Sequence, residues 1–245
     1  MKVTAIVQAH MGSRRLPGKV MLKLENQTVL AHVIARLKWS RKLDEIVVAT
    51  STLAQDQCIA EEAVRNQVHA FRGSEEHVLE RFYQAACNYQ SDVIVRITAD
   101  CPFIDPGMID RMLEVFLSEG STSDYMSNTL ERTFPRGLDV EIFTMHALDK
   151  AYRQAERDDE KEHVTLYLYR HPEQFRLCSF TNPIDYSKYR WTLDTREDWL
   201  FVQEVYRRIY INNPLFTWTD IIQLLEREPS LSKINEGVQQ KGVGT

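Results

Sequence analysis

The residues able to do chemistry cluster in short stretches, each following an apolar, β-branched run. The first is Val7-Gln8-Ala9-His10-Met11-Gly12-Ser13-Arg14-Arg15-Leu16-Pro17-Gly18-Lys19. Gly12 lets backbone amides approach an anion closely, Arg15 can fork onto phosphate oxygens, and Lys19 adds a mobile point charge. Together they read as a phosphate cradle, or as a solvated basic loop in which Pro17-Gly18 is simply a turn. Two common nucleotide templates fail here. Five residues separate Gly12 from Gly18 and Val20 follows Lys19, which breaks the Walker A pattern. Ser13 and Arg14 follow Gly12, which breaks the dinucleotide G-x-G-x-x-G.

The second stretch is Ile97-Thr98-Ala99-Asp100-Cys101-Pro102. An acid at a strand's carboxyl end suits Mg²⁺, which takes carboxylate and water oxygens together with substrate phosphates. Asp100 serves equally well in a turn, with Pro102 close behind. Tyr189-Arg190-Trp191-Thr192-Leu193-Asp194-Thr195 supplies a second carboxylate, so Asp100 and Asp194 could converge on one cation. The competing reading of Asp194 is charge complementarity at a helix N-terminus beside a Thr195 cap. Thr50-Ser51 could read a nucleobase edge or cap the next helix, and Arg72 puts another cation at the same rim or in solvent beside Gly73. Asn128, Asp139, Glu141 and His163 suggest a hydroxyl-rich or acidic substrate, against a purely structural use of such groups.

The periodicity says what holds these stretches. Apolar runs at Val3–Gln8, Glu45–Thr50, Val68–Phe71 and Val93–Thr98 read as strands, separated by helical spacing from Thr28, at Ala54–Asn66 and at Glu75–Tyr89. That alternation predicts a parallel sheet covered by helices on both faces, with ligands beyond the strands' carboxyl ends. After a helix at Pro106–Leu117 the rhythm changes, giving strands at Asp124–Asn128 and Leu138–Phe143 and helices at Met145–Glu156 and Glu162–Arg170. Strands at Phe175–Phe180 and Tyr189–Asp194 and helices at Thr195–Ile209 and Thr219–Glu228 complete the reading. The expected organisation is one domain over residues 1–235: a nucleotide-binding half (1–120), a β-rich sugar-binding half (121–200) and C-terminal helices (201–235), with 236–245 a loose tail.

The bulk numbers narrow the class. With 245 residues, 43% hydrophobic and 27% charged, the chain suits an ordinary globular protein, and a net charge of −5 argues against a general nucleic-acid or membrane-surface binder. No apolar run reaches membrane-spanning length. Cys58, Cys87, Cys101 and Cys178 form no C-x-x-C pair, which fits reduced thiols and a cytoplasmic location.

Eight stretches in order, VQAHMGSRRLPGKV, IVVATS, VHAFRGSEEHVLERFYQAA, VIVRITADCPFIDP, DYMSNT, GLDVEIF, EHVT and RWTLDT, resemble the spore coat polysaccharide biosynthesis protein F family. That family is similar to the wider cytidylyltransferases, which include the CMP-KDO and CMP-N-acylneuraminate synthetases. The resemblance implies a glycosyltransferase-A-like, three-layer α/β/α fold and a Mg²⁺-dependent transfer of CMP from CTP to a sugar acid. By motif it places Arg15 and Lys19 on the triphosphate, the backbone of Ala9, His10, Met11 and Gly12 with Thr50 and Ser51 on base and ribose, and Asp100 with Asp194 on the metal. It also implies a homodimer, with Leu166, Tyr167 and Leu168 of the 120–175 segment as an exposed contact. Alternatives are a sugar-1-phosphate nucleotidyltransferase, a glycosyltransferase of the same fold, or a nucleotide-binding module without catalysis. The chain departs from the family pattern at His10, where Arg is usual, at Arg14, where a small hydroxyl residue is common, and at Ala99, usually Gly. His10 has an unperturbed pKa of about 6.5, so its charge is expected to vary with pH.

Overall fold

A computed structural model describes residues 1–118 and 122–240. The first half alternates as expected: β1 (Val3–Gln8), a small hairpin of β2 (Lys23–Leu24) and β3 (Gln27–Thr28), α1 (Val29–Leu37), β4 (Glu45–Ser51), α2 (Gln57–Arg65), β5 (His69–Gly73), α3 (Val78–Asn88), β6 (Val93–Thr98) and α4 (Pro106–Phe116). The second half contributes β7 (Tyr125–Ser127), β8 (Glu141–Thr144), α5 (Met145–Gln154), α6 (Asp158–Glu162), α7 (Leu166–Arg170), β9 (Leu177–Ser179), α8 (Arg196–Ile209) and α9 (Trp218–Arg227).

One seven-stranded sheet has the order β5-β4-β1-β6-β8-β7-β9. Strands β5, β4, β1 and β6 are parallel, β8 runs antiparallel to both β6 and β7, and β9 is parallel to β7. The β-rich part thus continues the same sheet. Strands β1, β4 and β6 are covered on both faces, which is why they read as unbroken apolar runs and not as alternation. One face packs Val7, Val48 and Ile97 against α1, α2, α4, α8 and α9, and the other packs Ile6, Ala49 and Ile94 against α3, α5 and α7. This is the expected three-layer sandwich. Helix starts follow local chemistry: Thr28 caps α1 through the Ala31 amide, and Asp105 caps α4 ahead of Pro106.

Three local expectations are corrected. Residues 189–194 form no strand; Trp191 donates its amide to Arg136 and Leu193 donates to Asp100, so the segment lies across two loops and retains only an isolated bridge, Arg136 with Arg190. The helix expected at Glu162–Arg170 is divided, because the β-branched pair Val164-Thr165 separates α6 from α7 and the Thr165 hydroxyl turns inward to Glu141. Leu166, Tyr167 and Leu168 are buried, not exposed; Tyr167 stacks on His171 and packs against Phe175. These three side chains are committed to the intramolecular core and offer no dimer contact. Among the described residues no helix is long and apolar enough to cross a membrane. Of the segment expected as a tail, residues 236–240 make contacts considered below, and 241–245 lie outside the described residues.

Candidate active site

The parallel register brings the carboxyl ends of β1, β4, β5 and β6 to one rim, with Gln8 beside Ala49 and Thr98, and Ser51 beside Gly73. The loop after β1 folds back at Gly18, whose φ of +67° is a left-handed conformation that glycine adopts without strain. A single 3-10 turn, Lys19–Met21, follows, and Lys19 enters the interior with only 5% of its surface exposed. Its Nζ lies 2.6 Å from Asp100 Oδ2 and 2.6 Å from Asp194 Oδ1. Arg15 reaches the other oxygen of Asp194 at 3.0 Å, and Arg190 reaches it at 2.9 Å. Four side chains from the two ends of the sequence thus meet at one point.

The charges fix one another. Burial works against the Lys19 ammonium, but Asp100 and Asp194 outweigh it and hold its pKa above the ordinary value. Burial likewise works against the Asp100 carboxylate, and Lys19 with the Thr98 hydroxyl holds its pKa below the usual range. Asp194 is free to face this cluster because another acid does the capping. Thr195 and Asp198 form a capping box at the start of α8, and Asp198 also accepts the Asp194 amide and takes Arg190 in a two-pronged pair at 2.9 and 3.0 Å.

The donor set suits a divalent cation. Two carboxylates close enough to share one ammonium nitrogen supply the hard oxygens that Mg²⁺ takes alongside water and phosphate. No cluster of three or more protein ligands exists among the described residues, so remaining coordination would fall to water and substrate.

A cytidylyltransferase family model matches residues 4–227, nearly the whole chain. The protein belongs to the cytidylyltransferase family. The spore coat polysaccharide biosynthesis protein SpsF of Bacillus subtilis is 34% identical over 238 residues, covering 94% of this chain and 97% of SpsF. A solved cytidylyltransferase from Leptospira borgpetersenii superposes with a TM-score of 0.92 at 35% identity, covering 99% of this chain and 100% of that one. A CMP:2-keto-3-deoxy-manno-octonic acid synthetase solved in complex with CTP shares the fold, with a TM-score of 0.67 at 16% identity over 85% of this chain and 99% of the other.

Within this cytidylyltransferase the first loop is pinned by a residue that sequence reading passed over. Asp56, fully buried just before α2, accepts the Met11 amide at 2.8 Å on one oxygen and the Ser51 hydroxyl at 2.6 Å on the other. Its place three residues before Ile59 looked like ordinary helix-start acid, and only the tertiary contact separates the two uses. Ala9 is buried and its amide extends the β1–β4 ladder, while Gly12 is exposed. Thr50 is buried with its hydroxyl unbonded. Arg72 does not reach into the site: it donates to the Ser51 and Leu53 carbonyls and to Gln57, tying down the turn between β4 and α2.

His10 points toward Gly12, and its charge is set by its surroundings. Burial, then Lys19, push its pKa below 6.5 against the opposing pull of Asp56 and Asp100. The imidazole is therefore neutral at pH 7 and supplies no cation where the family pattern has Arg.

The expected sugar-binding residues separate into different environments. Asn128 is buried and spends its amide on the Leu138 carbonyl at 2.7 Å and the Val140 amide at 2.9 Å. Glu141 is held by Arg96, by the Tyr125 hydroxyl at 2.6 Å and by the Thr165 hydroxyl at 2.5 Å. Its neighbours use both oxygens. His163 ends α6, where its backbone closes the turn into α7. Asp139 alone of the four faces the cation cluster, and Arg132 occupies it through two bonds of 2.6 and 2.9 Å.

Proposed function

We propose that the protein is a Mg²⁺-dependent cytidylyltransferase that couples CTP to a sugar acid, of the nonulosonate or 3-deoxy-octulosonate kind, to give a CMP-sugar and pyrophosphate for surface polysaccharide synthesis in the cytoplasm. The observation that carries this reading is the convergence of Lys19, Arg15, Asp100 and Asp194 at the carboxyl rim of the parallel strands. Membership of the family, the polysaccharide role in the printed name of SpsF and the CTP complex of a sugar-acid synthetase on the same fold support the substrate classes.

The chemistry asks for position and charge more than for covalent machinery. A sugar hydroxyl oxygen forms a bond to the α-phosphorus, the bond from that phosphorus to the bridging β-oxygen breaks, and pyrophosphate leaves with the electron pair. Arg15 and Lys19 hold the triphosphate oxygens and stabilise the charge that gathers there. Amides of the Ala9–Gly12 loop, fixed by Asp56, shape the nucleotide side of the site. Asp100 and Asp194 hold Mg²⁺, which when bound neutralises phosphate charge and polarises the reacting phosphoryl group.

Pyrophosphate release tests the proposal, with CTP, Mg²⁺ and a panel of sugar acids including 3-deoxy-manno-octulosonate and N-acetylneuraminate. Mass spectrometry should find a CMP adduct of at least one acid. Absence of any adduct or pyrophosphate above background, while a known synthetase reacts in parallel, refutes it.

A further inference from the structure

Beside the carboxylates lies a cavity of about 410 Å³, large enough for a small ligand, whose far wall is built by residues 229–240. That wall lies beyond the family match, which ends at residue 227. Arg136, Tyr189, Arg190 and Trp191 line the near side, and Asn235 and Gln240 the far side. One Arg190 nitrogen bonds Asp194 at 2.9 Å and another bonds Gln240 Oε1 at 2.5 Å. A single guanidinium thus joins the cavity to the candidate metal ligand.

Two donors at this cavity have no acceptor among the described residues. The Arg136 guanidinium, half-buried, makes no side-chain hydrogen bond or ion pair. Trp191 Nε1 is buried and likewise unbonded. Both are unusual, since a buried indole N–H and a half-buried guanidinium normally find partners. Every other cation of the cluster is matched: Lys19 by Asp100 and Asp194, Arg15 by Asp194, Arg190 by Asp194 and Asp198, and Arg132 by Asp139. Glu236 and Lys188, both exposed on the rim, roughly offset each other.

The backbone holds Arg136 in this place deliberately. Its amide donates to the Tyr189 carbonyl at 3.0 Å and its carbonyl accepts from Trp191 at 2.6 Å. Gly137 makes that approach feasible: with φ at +103°, a Cβ there would stand 2.5 Å from the Trp191 carbonyl carbon.

We propose that Arg136 is the anchor for the anionic group of the acceptor, which enters this cavity so that a hydroxyl on its other end faces the nucleotide. The ligand class is a polyhydroxylated small molecule bearing a carboxylate or a phosphate, and the inference rests on the cytidylyl-transfer reading above. Arg136 reads the anion, and the cavity's polar wall of Tyr189, Asn235 and Gln240 accommodates hydroxyls.

The test uses the full chain loaded with CDP and Mg²⁺, titrated calorimetrically with 3-deoxy-manno-octulosonate and, separately, with glucose 1-phosphate. Wild type should bind at least one of them saturably. Arg136→Ala should weaken that binding about 10- to 100-fold, the loss of a charge-assisted pair, and Arg136→Lys should recover part of it. CTP affinity should stay within about twofold in both variants, on the additivity of separated sites, which a misfolded protein would not show. Binding of the phosphate alone keeps the anchor and removes the sugar-acid reading. Failure of wild type to bind CTP removes the nucleotidyl-transfer reading, while the anion titration still decides the role of Arg136. If neither anion binds in an Arg136-dependent way, the inference is overturned.

Discussion

Replacing Lys19 with Met removes the ammonium that two carboxylates share and leaves a side chain of similar length in its hole. Each charge-assisted hydrogen bond contributes about 1.5–3 kcal/mol. The net loss is smaller than two such bonds, because Asp194 keeps Arg15 and Arg190. Asp100 keeps only its local neighbours, with Thr98 and Cys101 beside it. The expected cost of Lys19→Met is therefore about 2–4 kcal/mol at pH 7, most of it from stranding Asp100.

The pH dependence makes this specific. Asp100 has a folded pKa below its ordinary 3.8, so its stabilisation is present above that value and is lost as pH falls through the folded pKa. Lys19 has a folded pKa above its ordinary 10.5, so its stabilisation is present below that value and is lost as pH rises through the folded pKa. The pair's contribution thus spans the range between. In Lys19→Met, burial acts on Asp100 without a cation, its pKa rises, and the sign of its contribution reverses. Urea unfolding in EDTA at several pH values checks this. The gap between wild type and variant should be widest near neutrality and narrow sharply below pH 4. A gap under about 1 kcal/mol at pH 7, less than one charged hydrogen bond is worth, or a gap of the same size at pH 3 and pH 7, would refute the reasoning.

Gly137→Ala should destabilise by about 3 kcal/mol, combining a left-handed backbone with a clash on Trp191, and should lower the thermal midpoint in calorimetry. Asp56→Ala leaves the Met11 amide and the Ser51 hydroxyl without acceptors, at a cost of about 2–4 kcal/mol; it should also weaken CTP binding in titration calorimetry because the first loop is released. The His10 imidazole should titrate below pH 6.5 in proton NMR of the ligand-free protein, with burial and Lys19 as the cause, so CTP affinity should not change through a His10 charge between pH 7 and 8. Asp100→Asn should keep the fold by circular dichroism and abolish Mg²⁺-dependent turnover.

The first half of the molecule was legible because its signals are local. Strands buried on both faces write continuous apolar runs, and the residue after each run lies at the carboxyl rim by construction, so Lys19 and Asp100 could be paired before any contact was known. Asp194 was legible for a different reason, since it precedes a capping threonine. The sequence could not say whether it serves the cap or the site. Asp198 decides that question, because it takes the capping role and leaves the Asp194 oxygens to Lys19, Arg15 and Arg190.

In the second half the same polar residue types had fates that only tertiary packing assigns. Asn128 and Glu141 looked like substrate ligands because each stands beside a strand's alternating pattern, yet each is the sole available partner for buried groups: Asn128 for the Leu138 carbonyl and Val140 amide, Glu141 for Arg96. An unpaired buried group costs more than a bond gains, so these side chains were drawn inward. The converse holds at Arg136, a residue with no chemical signature in its neighbourhood beyond Pro135 and Gly137. Its neighbours are all matched to other charges, and the backbone forbids it to retreat. A cation that the fold holds in place and does not neutralise is evidence of a ligand in the same way that a neutralised one is evidence against.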